Sequence, residues 1–369
     1  MIPTPSEIML LELLRSALWR KEIDTTCFAT ATQEQWEEIV RLAIAQGIQA
    51  VCYDALIHLE DDLQPPRKVK LQWAISVKAL EKRFLRHLHT AAHLASFYQE
   101  RGLKMMLMKG LGLAQLYPEP MHRESGDLDI WLFGEYKKGN KLMEEKGIKV
   151  NRHGSKHACF YFEGTPIENH KSFLNIDQFR IDREILEPAL QQALEQTQCI
   201  PFALPEKASL LLPPATFSAI FLARHMSNHF VGGIVLRHLC DWARFLYSCH
   251  KEYDADKLSA LFEKAGMLPL MQCFTELAIE QLGMPQAFSP FTGKADEALK
   301  TRVWQDILRP SFPVSPEGQG VLRIITYKWK RLMDSRNYYE LVHGEGFTRR
   351  LITSAVSHLL HPETILKLK

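Results

Sequence analysis

Asp127 and Asp129 stand one residue apart in Gly126-Asp127-Leu128-Asp129, at the entrance to the apolar run Ile130-Trp131-Leu132. In a strand, residues i and i+2 project to one face. The two carboxylates are therefore expected side by side, with Leu128 and Ile130 pointing inward. Like charges held together repel, and a cation between them relieves the repulsion. Hard divalent ions such as Mg2+ take carboxylate oxygens and keep further positions for water and phosphate. The pair thus suits a magnesium-triphosphate site. Taken alone, an Asp-x-Asp also describes solvated aspartates capping a turn.

The neighbouring residues extend the pattern. The run Lys104-Met105-Met106-Leu107-Met108 reads as a buried strand closed by Lys109-Gly110, with a short helix expected from Leu111. A glycine turn opening a helix offers free N–H groups and the positive end of a dipole, which suits phosphate. Glu168 and His170 fall on one face of a later strand, so Glu168 could complete a three-carboxylate cluster. It could equally sit exposed and pair with Lys171 or Arg180. Arg123 precedes the aspartates and reads either as a phosphate-neutralising group or as a surface-loop arginine. His225 and His229 are four apart on a helix, a spacing that can bind zinc, but Met226 stands where a HExxH motif carries its glutamate. Buried or cleft-lining histidines are the expectation. Arg237 and Asp241, also four apart, are expected to form a helix-face ion pair or to face the same cleft.

The elements that must position these residues can be read from periodicity. Residues 1–100 read as helices. One opens on Thr32 with Gln35 three residues later, a capping-box pattern, and stops at Gly47. A long periodic segment ends at Gly102. Residues 103–175 read as a compact α/β unit. It holds strands at the methionine run and at the aspartates, a helix ending at Gly147 that Gly139 weakens, and a hairpin turning at Gly164-Thr165-Pro166. Helices then run to the end, broken by the Pro/Gly-rich stretch 309–320. The expected fold is α+β and mostly helical. A small mixed sheet core at 101–200 is flanked by an N-terminal helical segment at 1–100 and followed by a C-terminal helical domain at 201–369.

The 369 residues carry a net charge of +2, which excludes a protein built to coat nucleic acid or an anionic membrane. The tail around Lys328, Lys330 and Arg331 and at Arg349-Arg350 is locally basic and reads as a solvated face, or as help for an anionic acceptor such as RNA. Seven scattered cysteines without a CxxC pair suggest neither a disulfide framework nor a zinc knuckle, so a reducing, cytoplasmic setting is expected. The first twenty residues lack the basic and then uninterrupted apolar regions of a signal peptide, and no apolar run is long enough to span a bilayer.

As a set, Lys109-Gly110, Leu116-Tyr117-Pro118, Arg123, Gly126-Asp127-Leu128-Asp129, Glu168-Asn169-His170 and the pair His225/His229 resemble the uncharacterised nucleotidyltransferase branch of the polymerase-beta-like superfamily. The resemblance covers roughly residues 80–250. It implies that Asp127 and Asp129 hold two Mg2+ ions when an NTP is bound, with Mn2+ able to substitute, and that Glu168 is the third ligand or the general base. Lys109, Gly110 and Arg123 would bind the nucleotide. His170, His225, His229, Arg237 and Asp241 would line the cleft. The implied reaction moves a nucleoside monophosphate from an NTP to a hydroxyl on a protein, an RNA or a small molecule. One departure stands out: the wider superfamily has Gly-Ser or Gly-Gly in the turn, and this chain has Gly110-Leu111. A hydroxyl that would touch the triphosphate is missing, and Lys109 would supply the contact instead. The rival reading is a binding protein that keeps the fold without the chemistry, such as an antitoxin-like partner.

Overall fold

The computed structural model describes residues 3–152, 156–202 and 210–309, together with a C-terminal helix and scattered positions around it between 324 and 351. Four helices come first: α1 (Pro5–Trp19), α2 (Gln33–Ala45), α3 (Gln49–Leu56) and α4 (Arg67–Gln99). The capping box of α2 is formed as expected. Gln35 N donates to Thr32 Oγ1 at 3.3 Å, and Thr32 N donates to Gln35 Oε1 at 2.9 Å. Gly47 and Gly102 follow α2 and α4 in left-handed conformations, which only glycine adopts without strain.

The α/β unit follows, with β1 (Met105–Leu107), the single turn α5 (Leu111–Ala114), β2 (Leu128–Trp131), α6 (Tyr136–Glu145), β3 (His157–Phe162) and β4 (Thr165–His170). After it come α7 (Glu187–Gln196), β5 (Ile200–Phe202), β6 (Leu210–Leu212), α8 (Ala215–Gly232), α9 (Leu236–Cys249), α10 (Ala255–Lys264), α11 (Leu268–Leu282), α12 (Glu297–Leu308) and α13 (Arg336–His343). The fold is α+β and mostly helical. Its six strands form one mixed sheet in the order β3-β4-β2-β1-β6-β5. β2 runs parallel to β4 and antiparallel to β1, while β1 and β6 are parallel.

Alternation along the strands divides the core into two layers. Met105, Leu107, Leu128, Ile130 and Ile167 pack with Leu94 and Tyr98 of α4 and Met143 of α6. Met106 and Trp131 face the other way, against Phe217 and Phe221 of α8. That second cluster also takes in α1, α9 and α11, so helices from both ends of the chain share it. Trp19 Nε1 donates to Leu282 O at 2.5 Å and Arg15 Nε to Gln281 O at 2.7 Å across this junction.

Two expectations need correction. The hairpin turns one residue earlier than Gly-Thr-Pro, at Glu163-Gly164, both with positive φ (50° and 75°), while Thr165 and Pro166 already pair in the ladder. A two-residue turn with both φ positive matches the twist of the flanking strands. The sheet also does not end near residue 175: β5 and β6 add two strands beyond it. Each is three residues long, too short for alternation to separate from helix. The stretch at 310–320, Lys328 and Arg331 of the basic tail, and Arg349-Arg350 lie outside the described residues.

Gly139, read from sequence as a weak point of α6, is there for packing. A Cβ at this position would stand 2.1 Å from Cδ1 of Leu132, itself buried at the end of β2. Gly139→Ala should therefore destabilise the fold by roughly 1–3 kcal/mol, although alanine is the better helix former by about 1 kcal/mol. Urea unfolding checks this, and a gain in stability would mean Leu132 is free to swing aside.

Candidate active site

The parallel register of β2 and β4 places Asp129 directly beside Glu168, with both side chains on one sheet face. The antiparallel register of β3 then sets His157 opposite His170 and Cys159 opposite Glu168. On the other flank, Met108 N donates to Asp129 O at 3.1 Å, so Lys109 emerges from β1 next to the aspartates. Lys109 Nζ lies 3.1 Å from Oδ2 of Asp129. His170 Nε2 lies 3.0 Å from Oδ1 of Asp129 and 3.7 Å from Oε2 of Glu168, and His157 Nδ1 lies 3.2 Å from that same Glu168 oxygen. His170 is fully buried, and its Nδ1 donates to Ser172 O at 3.2 Å.

The charges follow from this crowding. Burial works against an ionised Asp129, but Lys109 and the hydrogen bond from His170 outweigh it and hold the carboxyl well below its usual range. Burial raises Asp127, the adjacent Asp129 raises it further, and Lys109 pulls it partly back. Burial also opposes an ionised Glu168, but contact with His170 brings it below its ordinary value. Burial alone would lower Lys109; Asp129 and Asp127 more than reverse that and keep it charged. Burial and then repulsion from Lys109 lower a second lysine, Lys156.

Asp129, Glu168 and His170 each offer a ligand atom within 4.8 Å of the others. Oδ2 of Asp129 is buried, and the contact it makes is with the Lys109 ammonium at 3.1 Å. A buried carboxylate oxygen that meets a single cation and stands beside a second carboxylate has the chemistry of a hard-cation site. Asp127 is not a member of that close group. The β2 ladder begins at Leu128, so Asp127 sits just before it, and strand alternation does not fix its carboxylate.

The remaining sequence candidates sort differently from expectation. The α5 turn is a single turn, too short for a substantial dipole. Leu111 is fully buried in the core of the opposite sheet face. A hydroxyl nevertheless stands at the turn: Ser125 Oγ would be 3.1 Å from a Cβ on Gly110, and it donates to Asp127 O at 3.2 Å. Arg123 is not a free phosphate ligand, although its charge lowers Asp127. It is buried, and it grips Asp241 through Nε–Oδ1 at 3.0 Å and Nη2–Oδ2 at 2.6 Å. Tyr117 OH donates to the same Asp241 at 2.7 Å. The expected Arg237–Asp241 helix-face pair is thereby replaced, and Arg237 Nη1 donates instead to Glu124 O at 3.2 Å. His225 and His229 come together with His238 of α9, next to Lys109.

His157, Lys156, Ser125 and His238 went unseen in the sequence. A hairpin turn placed at Glu163-Gly164 would have paired His157 with His170; a turn placed one residue late hides that pair. His238 sits on a different helix from its partners, and no spacing rule connects them.

The Arg123–Asp241 pair closes the loop before the aspartates onto α9. Asp241→Ala would leave a buried guanidinium without its counter-charge, and breaking such a pair costs roughly 3–5 kcal/mol. Equilibrium unfolding should register a loss of that order, and a loss under about 1 kcal/mol would show that the loop is held by something else.

No curated protein and no solved structure matches the chain. No helix among the described residues is long and apolar enough to cross a membrane. A sequence model described as an uncharacterised nucleotidyltransferase matches residues 32–283, well over half of the 369. That span runs from α2 to α11 and encloses the whole sheet, the carboxylate corner and both histidine helices. The chain belongs to the uncharacterised nucleotidyltransferase family.

Proposed function

We propose that the protein transfers a nucleoside monophosphate from an NTP to a hydroxyl acceptor, using divalent metal held by Asp127, Asp129 and Glu168. The observation that carries this reading is the buried Asp129 set beside Glu168 by strand register, its Oδ2 met by the Lys109 ammonium, in a chain of a nucleotidyltransferase family. The acceptor oxygen attacks the α-phosphorus, and a new P–O bond forms there. The bond from that phosphorus to the β-phosphate oxygen breaks, pyrophosphate leaves with the electron pair, and the hydroxyl proton passes to a site carboxylate. Bound Mg2+ would polarise the attacking hydroxyl and neutralise the triphosphate. Lys109 neutralises the corner in the absence of a cation and becomes available to phosphate once a cation takes over Asp129.

The rival reading, nucleotide binding without transfer, draws support from Leu111, which is buried in the core and leaves residue 111 without a hydroxyl. Ser125, beside Gly110, weakens that objection by putting a hydroxyl at the same turn.

Two measurements separate these readings. Wild-type protein should bind an NTP far more tightly with Mg2+ than with EDTA, and should release pyrophosphate once an acceptor is supplied. The double variant Asp127→Asn, Asp129→Asn should lose both the metal requirement and the release, with thermal melting confirming that it still folds. Equal wild-type affinity in EDTA would remove the metal site. Lys109→Ala should weaken NTP binding by about tenfold, the scale of one charge-assisted hydrogen bond. The same variant should tighten Mg2+ binding in the absence of nucleotide, because a competing cation has gone. Unchanged affinities for both in calorimetry would take Lys109 out of the site.

A further inference from the structure

A second polar cluster lies beside the carboxylates, where α8 meets α9. His225 and His229 are one turn apart on α8 with ring centroids 4.5 Å apart, and His238 in the first turn of α9 stacks on His229 at 4.3 Å. One ring nitrogen of each lies within 4.8 Å of one nitrogen of the other two. Asn228 lies on the same helix, three residues after His225. Two atoms here are buried without any hydrogen-bond partner, Nε2 of His238 and Oδ1 of Asn228. Orphaned buried polar atoms are rare in native folds, and a bound water, ion or ligand satisfies them.

Three imidazoles suggest a transition metal, but two observations argue against one. Val235 N donates to Nδ1 of His238 at 3.2 Å. That lone pair is occupied, so the neutral ring carries its proton on Nε2, where a metal would need a lone pair. Metal-bound histidines almost always donate from their second nitrogen, and this one accepts. The surrounding charge is also positive. After burial, it is Lys109 that most strongly holds His225 far below its ordinary value, with Lys156 adding to it. Burial, Lys109 and Arg237 hold His229 at about 4. Burial, His229 and Arg237 lower His238 likewise, opposed by Asp241, whose carboxylate is already gripped by Arg123 and Tyr117. The cations that act on these rings disfavour a further cation there, and the neutral rings offer N–H donors to an anion.

We infer that this imidazole cluster binds the outer phosphates of the triphosphate whose inner end reacts at the carboxylate corner. The inference rests on the nucleotidyl-transfer reading and adds a location to it. Lys109 joins the two halves: its ammonium is 3.1 Å from Asp129, and its charge acts on His225 and His229. Phosphate oxygens would accept from Nε2–H of His238 and from the ring N–H of His225. Turning the amide of Asn228 would bring its NH2 to the same oxygens. The cluster then supplies the donors that the Gly110-Leu111 turn lacks.

The test is calorimetry with magnesium NTP and with magnesium tripolyphosphate, which has no base or sugar. His225→Phe keeps a ring at a half-buried position stacked 6.4 Å from Phe221 and removes only the nitrogens. His238→Phe removes the orphaned donor. Each variant should bind both probes about tenfold more weakly, the loss expected for one hydrogen bond to a charged group, with melting temperatures near wild type. His225→Gln, which keeps a donor, should recover part of the affinity. If His238→Phe does not fold, His225→Phe and His225→Gln decide the matter alone. Wild-type affinities in these variants would overturn the inference and leave the transfer reading standing. A wild type that binds no NTP would bring down both. A Co2+ titration giving ligand-field bands that His225→Phe abolishes would make the cluster a metal site and end the phosphate assignment.

Discussion

Three carboxylates crowd one poorly solvated corner of the sheet, and a mostly buried lysine makes that arrangement tolerable. Asp129 is 2% exposed and sits next to Glu168 by strand register, with Asp127 one residue before the ladder begins. Two unit charges about 4 Å apart repel by roughly 4 kcal/mol at an effective dielectric of 20. Backbone pairing fixes these neighbours, so the repulsion cannot be relieved by moving them apart. It has to be met by positive charge brought in, and Lys109, at the end of the adjacent strand, supplies it. The proposed divalent metal would answer the same need that Lys109 meets here.

The rest of the molecule keeps this corner in place. The loop from Leu116 to Gly126 would be free to wander, but its backbone and side chains are tied to α9. Arg244 Nε donates to Leu116 O at 2.7 Å, Tyr117 and Arg123 both bind Asp241, and Arg237 reaches Glu124 O. The buried pair Arg224–Asp182 joins α8 to the π-helical turn Asp182–Leu186 that leads into α7, and Arg224 Nη1 also donates to Val342 O of α13 at 2.6 Å. The helix that carries His225 and His229 is thus anchored one residue before His225. Buried ion pairs of this kind contribute little net stability over apolar packing, but they fix one geometry because every alternative leaves a charge unmatched.

Much of this was legible in the sequence, and the reasons differ by element. Capping residues and glycine stops are local, so α2 and α4 could be bounded from Thr32, Gln35, Gly47 and Gly102. Period-two alternation is also local, so Asp129, Glu168 and His170 could be put on common faces before their pairing was known. What the sequence hid was non-local. Whether Arg123 meets a phosphate or Asp241 depends on a contact across more than a hundred residues. The helix-face rule for Arg237 and Asp241 lost to a better bidentate partner. β5 and β6 carry too few residues for any period to appear. His238 joins His225 and His229 only because α8 and α9 fold back on each other.

The central claim is that the carboxylate corner is a divalent-metal site at which Lys109 stands in for the cation. Crystals grown with Mn2+ and a non-hydrolysable NTP, measured for anomalous scattering, address it directly. The account predicts manganese at about 2.0–2.2 Å from oxygens of Asp129 and of Asp127 or Glu168, with the Lys109 ammonium withdrawn from Asp129 toward the phosphates. Manganese elsewhere, or Lys109 still paired with Asp129 beside a bound nucleotide, would contradict it.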